Sequence, residues 1–224
     1  MSPSNTPAST RLDATTLYLV RHGETNYNRD DIMQGSGIDE PLNTTGRRQS
    51  EALAERLASV DLDVIYTSPM QRTEETADIV AQPHKPISRE RLDTLREMGW
   101  GVLEGEGPSD ERDATLHAIK TDWRAGNFDR AVEGGESIHD VAARAQHAIE
   151  HITTHEAGKT VLVVTHGRYL RVFLSTLLPE ADLYQMHTFG HSNTCVNRVV
   201  HRAGAFEADL LNCTLHLNNA PSLS

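Results

Sequence analysis

Three short apolar runs stand out along the chain: "TLYLV" at 16–20, "DVIYT" at 63–67 and "TVLVV" at 160–164. Their Val, Ile, Leu and Tyr content and their shortness are those of strands buried on both faces. A helical period follows each one. After the first comes "TTGRRQSEALAERLASV" (44–60), where Ala52, Leu53, Leu57 and Val60 fall on one face behind a threonine cap. After the second, "SPMQRTEETADIVA" (68–81) offers Ser68 as N-cap and Pro69 at the first helical position, where a missing N–H costs nothing. After the third, "HGRYLRVFLSTLL" (166–178) reads as a helix that opens directly behind a glycine.

Two more helical periods lie between the second and third runs. "PSDERDATLHAIKTDWRAG" (108–126) turns Leu116, Ile119 and Trp123 inward, within an insertion spanning 103–133. "SIHDVAARAQHAIEHITTH" (137–155) carries Ile138, Val141, Ala142, Ala145, Ile149 and Ile152 at intervals of three and four behind Ser137 as its cap. Near the end, "TCVNRVVHR" and "FEADLLNCTLHL" alternate around a glycine turn and read as edge strands. Strand and helix thus alternate, which predicts an α/β fold: a three-layer αβα sandwich on a mostly parallel sheet, with an antiparallel edge and a helical insertion over the active site. No repeat or composition break divides the chain, so residues 15–219 read as one domain behind a disordered Ser/Thr/Pro-rich tail at 1–14.

Composition narrows the function. A formal charge of −11 argues against a nucleic-acid or membrane partner, each of which would favour a basic face. The N-terminus has neither a basic start nor an apolar run, and no segment approaches the roughly 20 apolar residues needed to span a bilayer, so the protein is expected to be cytoplasmic. Cys195 and Cys213 show no CxxC spacing and read as ordinary thiols. The pair in "HAIEH" (147–151) is spaced i, i+4 but lies off the apolar face of its helix, and reads as solvated surface rather than a metal site. Nothing in the pattern speaks to oligomeric state.

The candidate chemistry sits where the runs end. In open α/β sheets, ligands bind beyond the carboxyl ends of the strands. Arg21, His22 and Gly23 follow the first run, Arg72 lies in the first turn of the helix after the second, and His166 and Gly167 follow the third. Two arginines and two histidines, far apart in sequence, are therefore predicted to meet in one volume. A phosphoryl group suits them, because guanidinium forks match phosphate oxygens and a helix start adds N–H donors.

Five stretches in order, "LVRHGETNYN", "TSPMQRTEET", "LREMGWGVLEG", "GGES" and "VVTHG", resemble the histidine phosphatase superfamily, the phosphoglycerate-mutase-like enzymes with the RHG motif. The resemblance covers nearly the whole chain. It implies His22 as the nucleophile that becomes phosphohistidine, Arg21, Arg72 and His166 as the phosphate pocket, and Glu97 as proton donor and acceptor. It implies further substrate contacts at Asn28, Gln34, Gly35 and Gly167, with a less defined part for Thr25, and support of the nucleophile region by Glu136. Glu104 lies close enough to Glu97 to compete with it for the acid role. No cofactor or metal is implied. The partner is a small phosphorylated metabolite.

Within the family the sequence leans to a phosphatase acting on small phosphomonoesters. Only 39 positions separate Glu97 from Glu136, without the longer insertion expected of a cofactor-dependent phosphoglycerate mutase, the alternative reading. A third reading is a protein that binds phosphorylated ligands without turnover. The intact histidines, arginines and acid speak against it.

Overall fold

The computed structural model describes residues 14–218. The tail expected at 1–14 lies outside these residues except for Ala14, which opens the first strand. Six strands form one sheet: β1 (Ala14–Arg21), β2 (Val64–Thr67), β3 (Ser88–Arg91), β4 (Thr160–Thr165), β5 (Val196–Arg202) and β6 (Ala205–Cys213), in the order β3-β2-β4-β1-β5-β6. The first four in that order run parallel, β5 runs against β1, and β6 runs against β5. The three apolar runs are the three central parallel strands, as their two-sided burial requires.

Alternation along these strands feeds two cores. On one face Val20, Ile65, Leu162 and Val164 pack against Leu53, Ala54 and Leu57 of α2 (Thr44–Leu57, following the single-turn α1, Asn26–Arg29) and Ala77 and Val80 of α3 (Gln71–Ala81). On the other, Leu17, Leu19, Tyr66, Val161 and Val163 meet α5 (Ile138–His155) and α6 (Gly167–Leu177). Leu116, Ile119 and Trp123 of α4 (Asp110–Arg124) join this second core, which anchors the insertion to it. Each fully buried Leu, Ile or Val contributes about 1.5–3 kcal/mol. The sheet is thus fixed by apolar contacts well away from its strand ends, which are left free to carry polar groups.

Several local expectations change. The cap of α2 is Asn43, whose side chain accepts from the Gly46 N–H at 2.8 Å, with Thr44 as the first helical residue. The helix after β2 starts at Gln71 behind Met70, not at Pro69, because the Ser68 N–H still donates to the Val164 carbonyl at 3.2 Å and prolongs the sheet pairing. β5 is not an edge: it pairs with β1 on one side and β6 on the other. The edge opposite β6 is β3, a strand of sequence "SRER" that no apolar pattern announces. Ser137 caps α5 as expected, accepting from the Asp140 N–H at 3.1 Å while Asp140 accepts from the Ser137 N–H.

Candidate active site

A cavity of about 890 Å³ opens over the carboxyl ends of the parallel strands, between their loops and α4. Arg21, His22, Asn28, Gln34, Gly35, Arg72, Glu97 and Gly167 all line it. Residues spread over more than 140 positions of sequence are thus brought to one place by three strand ends.

His22 is 2% exposed. Its N–H donates to the Thr165 carbonyl at 3.0 Å, continuing the β1–β4 pairing, while the Gly23 N–H turns away to Thr76 Oγ1 at 3.0 Å. His22 Nδ1 lies 2.7 Å from the Gly23 carbonyl. A carbonyl can only accept, so Nδ1 carries the proton and Nε2 keeps its lone pair. Burial, then the charges of Arg72 and Arg21, push the imidazole well below its ordinary range, so the ring is neutral around pH 7. A neutral imidazole with one bare nitrogen facing a cavity can attack phosphorus.

Arg72 is almost wholly buried and fixed from three directions. Its Nε donates to His166 Nδ1 at 3.2 Å, Nη1 to the Ile38 carbonyl at 2.8 Å and Nη2 to the Gly35 carbonyl at 2.9 Å. Burial brings it down to about 10, so it stays charged at neutral pH. Its remaining N–H groups are available to a ligand. Arg21 donates Nη1 to the His191 carbonyl at 2.6 Å and leaves a buried Nε without a partner. Gly167 makes room for it: a Cβ there would sit 3.1 Å from Arg21 Nε.

His166 meets His22 and Arg72, as the strand ends predicted, from behind the cavity wall. It is fully buried and is not among the residues lining the cavity. Its ring stands edge-on to His22 with centroids 5.2 Å apart. Nδ1 accepts from Arg72, so the proton is on Nε2, 2.9 Å from Ser68 Oγ. With both nitrogens engaged by the protein, it helps to orient Arg72.

The two competing carboxylates separate cleanly. Glu104 accepts from the N–H groups of Ser36 at 3.0 Å, Gly37 at 3.0 Å and Trp100 at 2.9 Å, away from the cavity, and so holds the loop that carries Gln34 and Gly35. Gly35 adopts φ +59°, and any Cβ there would collide with the Glu104 carboxylate, so this position needs glycine on both counts. Glu97 lines the cavity and rests on the first turn of α6, accepting from the Arg168 N–H at 3.1 Å, the Tyr169 N–H at 2.9 Å and the Met98 N–H at 2.8 Å.

Glu136 does not touch the nucleophile region. It accepts from the Gly99 N–H at 2.7 Å and from Arg144 at 2.8 and 3.0 Å. Arg144 in turn donates to the carbonyls of Thr94, Arg96 and Glu97, so the pair fixes the backbone that presents Glu97. Thr25 is likewise internal: fully buried, it caps α1 by accepting from the Asn28 N–H at 3.1 Å while Asn28 Oδ1 accepts from its own N–H at 3.2 Å. It positions Asn28 and does not line the cavity.

Sequence reasoning missed the loop before β5. There, Asn193 donates to the His22 carbonyl at 3.0 Å and to Asn28 Oδ1 at 3.3 Å, and the carbonyl of His191 holds Arg21. A signal was present. A strand antiparallel to β1 must begin at the end where β1 finishes, and Val196 indeed pairs with Val20. Among the described residues no group of three or more His, Cys, Asp or Glu side chains converges as a metal site, and no helix is long and apolar enough to cross a membrane.

Known proteins share this layout. The profile of the histidine phosphatase superfamily (branch 1) matches residues 17–214. A probable phosphoglycerate mutase, GpmB, of Proteus mirabilis is 37% identical over 169 residues, covering 72% of this chain and 74% of that protein. A metal-independent phosphoserine phosphatase of Arabidopsis thaliana is 33% identical over 160 residues, covering 71% of this chain and 67% of that protein. The solved structure of Bacillus stearothermophilus YhfR superposes with a TM-score of 0.81 at 33% identity, covering 91% of this chain and 99% of that one.

Proposed function

The chain belongs to branch 1 of the histidine phosphatase superfamily, and from that premise we propose that it is a phosphatase that hydrolyses small phosphomonoesters through a phosphohistidine on His22. The observation that carries the reading is the state of the His22 ring: neutral, with Nδ1 held by the Gly23 carbonyl and Nε2 bare at the cavity between two arginines.

In this reading Nε2 of His22 attacks phosphorus as the ester oxygen departs on the opposite side. Charge spreads over the three equatorial oxygens of the transferred group and is met by Arg21 and Arg72, which are already in place and need no rearrangement. The departing alkoxide takes a proton from the Glu97 carboxyl group. Water then attacks the phosphohistidine and gives its proton to the Glu97 carboxylate, which restores the acid and the free imidazole. Asn28, Gln34, Gly35 and Gly167 line the floor around the phosphoryl group, and His166 and Thr25 act behind it through Arg72 and Asn28. The arginines supply the charge that a metal ion would otherwise bring, which supports a metal-independent enzyme.

The mutase alternative differs in the acceptor, a second phosphorylated molecule in place of water, and the similarity to GpmB keeps it as the second reading. Mixing the protein with 32P-labelled substrate and quenching without acid should trap an acid-labile, base-stable phosphoprotein, and hydrolysis of p-nitrophenyl phosphate should proceed in EDTA. His22→Ala should lose the label and at least about 10⁴-fold of turnover, the scale seen when a nucleophile is removed. Labelling or turnover that persists in His22→Ala overturns the mechanism. Rescue of EDTA-treated protein by zinc or magnesium overturns metal independence, and phosphoglycerate isomerisation faster than hydrolysis makes it a mutase.

A further inference from the structure

The cavity is much larger than one phosphoryl group, and its charge is lopsided. Seven Lys and Arg side chains line it against three Asp and Glu, in a chain whose formal charge is −11. Two of the three carboxylates are already paired: Asp31 and Asp113 bind Arg112 at 2.7 and 2.8 Å. Glu97, seated on the first turn of α6 through backbone N–H groups, is the one lining carboxylate without an ion pair, a single negative charge against the cations of the wall formed by that turn and by α4.

Three cations on that wall carry the observation. Arg168 forms no side-chain hydrogen bond and no ion pair among the described residues. Its Nε is sealed from solvent without an acceptor, and its guanidinium lies 5.7 Å from the ring centre of Trp100 and 5.8 Å from that of Trp123. Arg171, one turn on and on the same face of α6, also has a buried Nε without a partner, and its one side-chain contact is a 3.3 Å bond from Nη1 to the His187 carbonyl. Lys120 of α4 lines the same space and is likewise unpaired. Burial, followed by the charges of Arg168, Arg124, Arg171 and Arg112, holds its amine below the ordinary lysine range. Two sealed guanidinium Nε–H groups with nothing to donate to are costly, and a third positive charge beside them raises the cost. An arriving anion removes it. The wall also adjoins the floor directly, since Gly167, which packs on Arg21, is the residue before Arg168.

We propose that Arg168, Arg171 and Lys120 form a second anion subsite, so that the substrate is a phosphomonoester carrying a further carboxylate or phosphate. This rests on the phosphatase reading above and narrows its substrate class. The reactive phosphoryl group sits on Arg21 and Arg72, the second anion spans to Arg168 and its neighbours, and the indoles of Trp100 and Trp123 keep the Arg168 fork from folding back into water.

Two matched pairs test it: 3-phosphoglycerate against glycerol 1-phosphate, which differ by a carboxylate, and fructose 1,6-bisphosphate against fructose 6-phosphate, which differ by a phosphate. The wild-type protein should prefer the doubly anionic member of at least one pair by about 10- to 100-fold in kcat/KM, chiefly through KM, the worth of one or two charge-assisted hydrogen bonds. The pair that responds identifies the anion. Arg168→Gln should erase most of that preference, read as the ratio within each pair, and Lys120→Gln should erase part of it. Calorimetric binding of the same four compounds to His22→Ala should show the same ranking without turnover. Absence of p-nitrophenyl phosphate hydrolysis would count against the phosphatase reading alone, and the binding ranking would still decide the subsite. Discrimination below threefold in both pairs, or an equal loss for both members of a pair in Arg168→Gln, overturns the subsite.

Discussion

On the floor of the cavity Arg72 gives its Nε to His166, its Nη1 to Ile38 and its Nη2 to Gly35, whereas on the wall Arg168 gives its side-chain donors to nothing. The same residue type is used in two ways in one cavity. The floor is assembled in advance: His22, Arg72, His166 and Ser68 form one connected network whose members fix one another before a ligand arrives, as preorganised electrostatic stabilisation requires. The wall is completed by the ligand. The difference separates the work common to all phosphomonoesters from the work of choosing among them.

The largest effect that would break this contrast is expected at Glu97, which touches both regions, since it lines the cavity while resting on the first turn of α6. Glu97→Gln should lower turnover of an alkyl phosphate by about a thousandfold, within the range for loss of a general acid, because a basic alkoxide departs poorly without a proton. The burst of p-nitrophenolate release should fall far less, and the later hydrolysis of phosphohistidine should slow for both. Equal losses in the phosphorylation step for the two substrates would leave Glu97 a positioning residue.

Next in size is the network itself. Arg72→Ala should cost about a hundredfold in kcat/KM for every substrate alike, the scale of one preorganised donor. His166→Ala should cost less, and the double variant should be little worse than Arg72→Ala, because His166 acts through Arg72. Additive losses in that cycle would place His166 on the phosphate directly. With native circular dichroism in all three variants, the cycle reports on the site and not on folding.

The central strands and the RHG turn were legible in the sequence because burial on both faces leaves an unbroken apolar run, and a run that ends in Arg21 and His22 announces its own strand end. β3 was not, since an exposed strand beside α3 carries Arg89 and Arg91 where the pattern would need valines, and these pair with Asp78 and Glu74. Arg144 was invisible for another reason: apart from Glu136, its targets are backbone carbonyls, which leave no trace in side-chain spacing. The part of Arg168 could be found only once the helix start and the two tryptophans were seen to converge on it, although each is plain in the sequence.

The last effect is on stability, and it comes from histidines that burial keeps neutral. Burial and neighbouring arginines hold His22 and His166 well below the ordinary histidine range, His191 is pushed down to about 3, and His216 to about 4. The unfolded chain takes up protons at these residues as the pH falls through about 6.5, while the native chain refuses them, so stability is lost on acidification. The urea midpoint in an anion-free buffer should therefore be lower at pH 5 than at pH 7.5. A midpoint that is unchanged or higher at pH 5 would mean that these rings protonate in the folded state.

Position 168 joins two tasks through different atoms: its backbone N–H helps seat the Glu97 carboxylate at 3.1 Å, while its side chain, which lines the cavity, takes no part in that bond. Any residue but proline supplies that N–H. A single codon change can therefore alter what the enzyme accepts while Glu97 keeps its seat, which makes this codon a ready site for evolutionary drift between substrates and the first choice for a saturation library aimed at new specificity.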